Sequence, residues 1–167
     1  IDSATTFTFS LSLHDALPIW DTPERVQEDI GVLKSGSYEE RELYLRTKQL
    51  TRDGLTLLIA SKDVRLILLA AQKGNFDSFN ELLMVRLKIE ALILGYLDLY
   101  HVLWVDAEEA LISSKLVSAT RKLYEKFPLS ERGEVALLKS GNKELIKEYE
   151  AKWGFRSREA KNRRINM

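Results

Sequence analysis

The sequence predicts an all-α protein: a right-handed stack of short antiparallel helical hairpins, about five units of roughly 26 residues each. Three observations predict it. Helix caps and helix stops alternate along the chain. Between them, apolar residues recur three and four apart, the spacing that places them on one helix face. Similar segments also return at a fixed interval, the mark of stacked units that cannot bury their apolar faces alone.

The first helix starts at Thr22, a capping hydroxyl, with Pro23 at the first position, where a missing N–H costs nothing, and Glu24 in the first turn. Val26, Ile30 and Leu33 form its apolar face, and Gly36 is expected to end it in the left-handed conformation. Ser37 and Glu40 have capping-box spacing and open a second helix through Leu43, Tyr44 and Lys48. Past the turn at Leu50, Thr51 or Asp53 caps a third helix carrying Leu55, Leu58 and Ile59. Ser61, Lys62 and Asp63 interrupt it, and Val64 to Gln72 runs back until Gly74 and Asn75. The third unit is the most apolar: Leu82, Leu83, Val85, Leu87, Ile89, Leu92, Ile93 and Leu97 leave little polar face, as in a unit covered on both sides. The fourth is expected to restart at Asp106, with Glu109 in capping-box spacing, and Pro128 to stop its second helix. Ser130 and Glu131 open the fifth. There Gly141 is the helix stop and Asn142 the cap, and Leu145, Ile146, Tyr149 and Trp153 follow at helical spacing before Gly154. From Phe155 the tail is expected to form one last, incomplete hairpin arm.

The period is read from the clearest copies. LKSG stands at 33–36 and again at 138–141, a separation of 105, and Tyr44 with Tyr149, and Leu50 with Phe155, keep that offset. Four steps of about 26 make up the distance. Leu57 with Leu83, Leu97 with Leu123, and Leu103 with Leu129 are single steps of 26.

Composition narrows the chemistry. At 167 residues, 45% hydrophobic and 30% charged, the chain is of single-domain length and can bury a core, and residues 20–167 are expected to form one helical-repeat domain. Its 25 lysines and arginines balance 25 aspartates and glutamates, so charge-based recognition must be local. The absence of cysteine excludes disulfides, thiolate metal sites and cysteine nucleophiles. With only His14 and His101, a metal site would need carboxylates almost alone, so neither metal nor cofactor is expected. Scattered glycines make no phosphate-binding loop. The longest apolar runs, Leu66 to Ala71 and Ala91 to Leu97, fall short of the roughly 18 residues of a membrane span. A soluble, cytoplasmic protein is expected.

Residues 11–19, LSLHDALPI, resemble the conceptual translation of a short-read sequencing adapter, whose usual reading ends TLSLHDALPI. Asp2, Ala4, Thr5 and Thr6 also fit that pattern, whereas Ile1, Phe7, Thr8, Phe9 and Ser10 depart from it. The resemblance implies that residues 1–19 are not native, that the genuine chain begins near Trp20, and that His14 carries no function. Because residues 1–19 contain no lysine or arginine, a signal peptide is disfavoured.

The pattern LLKSGNKELIKEY at 137–149, followed by a small turn and an apolar residue, resembles the short repeats of bacterial helical-repeat proteins of the broad HEAT-like group of α-solenoids, over residues 30–160. That resemblance implies binding of a partner along a surface, with no catalytic residues. The expected function is therefore a non-enzymatic scaffold for a protein or peptide. Trp104, beside Val105 in a turn, is the aromatic most expected to be exposed and to touch that partner. The alternative is nucleic-acid binding through the tail. There Arg156, Arg158, Lys161, Arg163 and Arg164 stand against Glu159 alone, and arginines on one helix could neutralise several phosphates. A polar end-cap on the stack is the structural counterpart of that reading. Asp106, Glu108 and Glu109 near His101 could be an acid–base or divalent-ion cluster, but a helix N-terminus favours negative charge and is the expected role. Tyr44, Tyr96, Tyr100, Tyr124, Tyr149 and Trp153, at helical spacing among leucines, are expected to pack in the core.

Overall fold

The computed structural model describes residues 21–167, and over them the chain forms eleven α-helices and no strand. The adapter-like segment and His14 lie outside the described residues. The helices are α1 (Pro23–Ser35), α2 (Tyr38–Thr47), α3 (Arg52–Ala60), α4 (Val64–Ala71), α5 (Ser78–Arg86), α6 (Glu90–Tyr100), α7 (Val105–Ser113), α8 (Val117–Leu123), α9 (Glu131–Ser140), α10 (Lys143–Lys152) and α11 (Arg158–Ile165). Each odd-numbered helix up to α9 pairs with its successor as a hairpin. In one compact unit α1 packs on α3 and α2 on α4. In another α5, α7, α9 and α11 form a row, and α6 packs on α8. The units divide between Gly74 and Asn75.

Helix starts follow the caps. The side chains of Thr22, Ser37, Thr51, Asp63, Asp77, Ser130, Asn142 and Ser157 each accept the backbone N–H three residues on, meeting one of the orphan donors of the first turn. Ser37 and Glu40 complete a reciprocal capping box. Inside four hairpins the turn is made by one residue at positive φ: Lys62, Lys88, Lys115 and Gly141. In three of them a serine just before it locks the turn. The hydroxyls of Ser61, Ser114 and Ser140 donate to the carbonyl three residues back and accept the amide two residues on.

Two expectations need correction. Gly36 has φ −71°, not a left-handed value. A Cβ there would stand 2.6 Å from the Val32 carbonyl oxygen, so close approach of the backbone, rather than handedness, requires glycine. The helix after the third hairpin starts at Val105 with Trp104 as its N-cap, so Asp106 is not the cap but lies in the first turn, 3.0 Å from Arg132.

The cores carry the period. Leu58, Met84, Leu111 and Leu137, spaced 26, 27 and 26 apart, are each at most 2% exposed. Burying one such side chain contributes about 1.5–3 kcal/mol. Tyr96 and Tyr149 are fully buried, as the core reading expects. Among the described residues, no helix is long and apolar enough to cross a membrane.

Candidate partner-binding edge

Four carboxylates recur in register on the first helices of the hairpins: Asp29, Glu81, Glu108 and Glu134, all at most 7% exposed. Each accepts the backbone N–H of the residue that caps the next first helix. Asp29 takes it from Thr51 at 2.7 Å, Glu81 from Trp104 at 2.5 Å, Glu108 from Ser130 at 3.0 Å and Glu134 from Ser157 at 2.9 Å. A helix start carries unpaired N–H groups and partial positive charge, and a buried carboxylate from the preceding hairpin meets both. The equivalent position of the second hairpin holds Leu55, 26 residues from both Asp29 and Glu81. Three of the carboxylates also receive a tyrosine hydroxyl from 15 residues on: Tyr44 to Asp29 at 2.7 Å, Tyr96 to Glu81 at 2.9 Å and Tyr149 to Glu134 at 2.9 Å. This packing requires two of the glycines, since a Cβ on Gly54 would lie 2.5 Å from Asp29 Oδ2 and one on Gly133 would overlap Glu108 Oε1.

The same device is completed differently each time. Asp29 gains the Thr51 hydroxyl at 2.6 Å and has Arg25 at 3.8 Å. Glu108 gains the Ser130 hydroxyl at 2.5 Å. Glu134 accepts the Arg156 amide as well, with the Arg156 guanidinium at 3.4 Å. Among the described residues, Glu81 has only the Trp104 amide and the Tyr96 hydroxyl, and Asp77 adds like charge. Burial pushes its carboxyl up to about 7. Burial also raises Glu108, against the pull of its Ser130 bonds.

Around Glu81 the bonds close into a ring. Tyr96 donates to the carboxylate and accepts the Phe76 amide at 2.9 Å, while the Trp104 indole donates to the Phe76 carbonyl at 3.2 Å. The ring fixes both the backbone and the indole of Trp104. Exposed apolar side chains stand on the segments that flank it: Phe79 and Val105 at the starts of α5 and α7, Val102 and Trp104 in the loop before α7, and Phe127 in the loop before α9. These side chains are 38–52% exposed. The two loops are neighbours, with His101 Nε2 3.4 Å from Lys126 Nζ.

The tail cations are drawn into the fold more than composition suggests. Arg156 binds Glu134 and donates to the Leu129 carbonyl at 2.5 Å. Arg163 pairs with Glu159 at 3.1 Å and Arg164 with Glu150 at 2.9 Å. Arg158 and Lys161 stand exposed on α11. A groove of about 470 Å³ between α7, α9 and α11 is lined by charges of both signs, among them Glu109, Arg132, Lys139, Arg158 and Glu159. Asp106 and Glu109 pair with Arg132, so the acidic cluster is divided between a surface ion pair and the buried cap made by Glu108. Among the described residues, no three histidine, aspartate or glutamate side chains are grouped to hold a metal ion.

Trp104 is legible in the sequence as an exposed aromatic, whereas nothing local to Glu81 marks it. The signal in the sequence is an acid at one repeat position in four of five units, interrupted by Leu55, with a helix cap 22 or 23 residues beyond each. Comparisons with protein-family models, with curated proteins and with solved structures find no match.

Proposed function

We propose that this chain is a non-enzymatic interaction scaffold of the α-solenoid, HEAT-like type, and that it binds a protein or peptide partner of apolar, aromatic-accepting character at the edge formed by Phe79, Val102, Trp104, Val105 and Phe127. One observation carries the reading: a tryptophan 52% exposed, yet fixed through both its backbone amide and its indole N–H. Large, immobilised aromatics lose little conformational entropy on binding and are the side chains that dominate protein interfaces. Selection from a random peptide library tests it. Enriched peptides are expected to carry apolar anchors and to lose binding to the Trp104→Ala and Phe127→Ala proteins. No enrichment, or binding that survives both substitutions, overturns the reading.

Nucleic-acid binding through Arg158 and Lys161 is the second reading, supported by their exposure on α11. It ranks below the first because Arg156, Arg163 and Arg164 already face carboxylates. Phosphate contacts would make such affinity fall steeply with salt and drop on Lys161→Glu.

A further inference from the structure

We propose that Glu81 is the positioning residue of Trp104 and makes partner docking follow its protonation state: ionised, it holds the tryptophan ready for the partner, and protonated, it releases it. The proposal rests on the reading of this edge as partner-binding.

The geometry carries it. Of the four carboxylates in register, three are backed by a side-chain donor or cation on the capped residue's side: the hydroxyls of Thr51 and Ser130 and the guanidinium of Arg156. Trp104 offers no such group toward Glu81, only its backbone N–H. The other bond is from Tyr96, whose oxygen is already occupied by the Phe76 amide. When a proton from solvent settles on Glu81 Oε2, the Tyr96 hydroxyl can no longer donate to that oxygen. The carboxyl O–H instead donates to the tyrosine oxygen, which still accepts the Phe76 amide, so the Tyr96–Glu81 bond reverses and the phenol's own hydrogen must turn to another acceptor. The Trp104 amide is left with a neutral acceptor in place of a charged one, a bond about half as strong.

The groups around Glu81 leave that proton to Glu81 itself. On α5, Asp77 shares its sign and favours protonation. From α6 come Tyr96 and, stacked on it at 5.0 Å, Tyr100, and burial holds both phenols protonated. The loop before α7 brings the Trp104 amide and, at the surface beside Lys126, His101. His101 is the histidine on that loop, so the test separates it from Glu81.

The experiment is a titration of the full chain followed by proton–nitrogen correlation spectra from about pH 5.5 to 8.5, with the Trp104 signals assigned through Trp104→Phe. The Trp104 indole and backbone N–H resonances are expected to move together with a midpoint near 7, and the Trp153 indole to stay still. Glu81→Gln is expected to abolish the movement and His101→Gln to leave it. Tyr96→Phe, which keeps the carboxyl but removes a donor to its charged form, is expected to shift the midpoint upward, and it stands in should Glu81→Gln fail to fold. Trp104 resonances that stay fixed in the parent, or that titrate unchanged in Glu81→Gln or stop titrating in His101→Gln, overturn the proposal. No partner is needed for these readings, so their failure is distinct from failure of the peptide selection. A selected peptide should further bind about tenfold more weakly one unit below the midpoint than well above it, with no such loss in Glu81→Gln. Equal pH dependence in both proteins would also overturn the gating.

Discussion

Glu81 in the third hairpin and Glu134 in the fifth occupy the same place in the repeat, receive a tyrosine from the same distance along the chain, and cap the next first helix with the same backbone bond. They differ in the remaining groups that each carboxylate faces. Glu134 faces the Arg156 guanidinium and two amides, whereas Glu81 faces one amide and an aspartate. Backbone geometry thus places a carboxylate, and the neighbouring side chains decide whether a cation or a like charge stands beside it.

The largest way to break this comparison is to remove the anion that is fully paired. Glu134→Leu leaves the Arg156 and Ser157 amides and the Tyr149 hydroxyl without their acceptor and should cost about 3–5 kcal/mol in denaturant unfolding. Glu81→Leu should cost visibly less, and equal losses would remove the distinction. Next comes pH. A carboxyl raised from 4.5 to about 7 on folding holds a proton that the unfolded chain has released. Stability should therefore be greatest below the unfolded value and fall as pH rises toward 7, by about 3 kcal/mol at about 1.4 kcal/mol per unit. Glu108 adds to the same slope. Melting temperatures that rise between pH 5 and 7 in the parent relative to Glu81→Gln would reverse the sign argued here.

Gly133→Ala places a methyl against Glu108 Oε1 and should destabilise by about 1–3 kcal/mol, whereas a buried alanine is native three residues past the caps Trp104 and Ser157, at Ala107 and Ala160. Thermal melts that show no loss would mean the carboxylate can step aside. The smallest effect is expected from Lys161→Glu, an exposed change that should stay within about 0.5 kcal/mol.

Much of the fold was legible because it is local. Ser37 with Glu40, Thr51, Ser130 and Asn142 are hydroxyls, carboxylates or amides at positions where a helix must begin, and a cap acts within three residues of itself. Gly141 could be placed at positive φ for the same reason, while Lys62, Lys88 and Lys115 take that conformation without announcing it in their residue type. The site was less legible. Glu81 sits between Asn80 and Leu82 on a short helix and reads like any solvated acid until Tyr96 and Trp104, 15 and 23 residues away, are brought against it. The partners of the tail were equally hidden. Its arginines look like a free basic patch, but Arg156 and Arg164 meet acids 22 and 14 residues earlier in the chain.

By itself, then, the sequence determined the all-α class, the caps and stops, the period near 26 and the exposed tryptophan, because each depends on residues within a turn or two, or on a repeat that can be counted. Only the tertiary structure decided which acids are buried, which amides they cap and which cations they neutralise. Those outcomes depend on the first helix of one hairpin lying against the next, where removal from water leaves each carboxylate dependent on the amides, hydroxyls and cations that reach it.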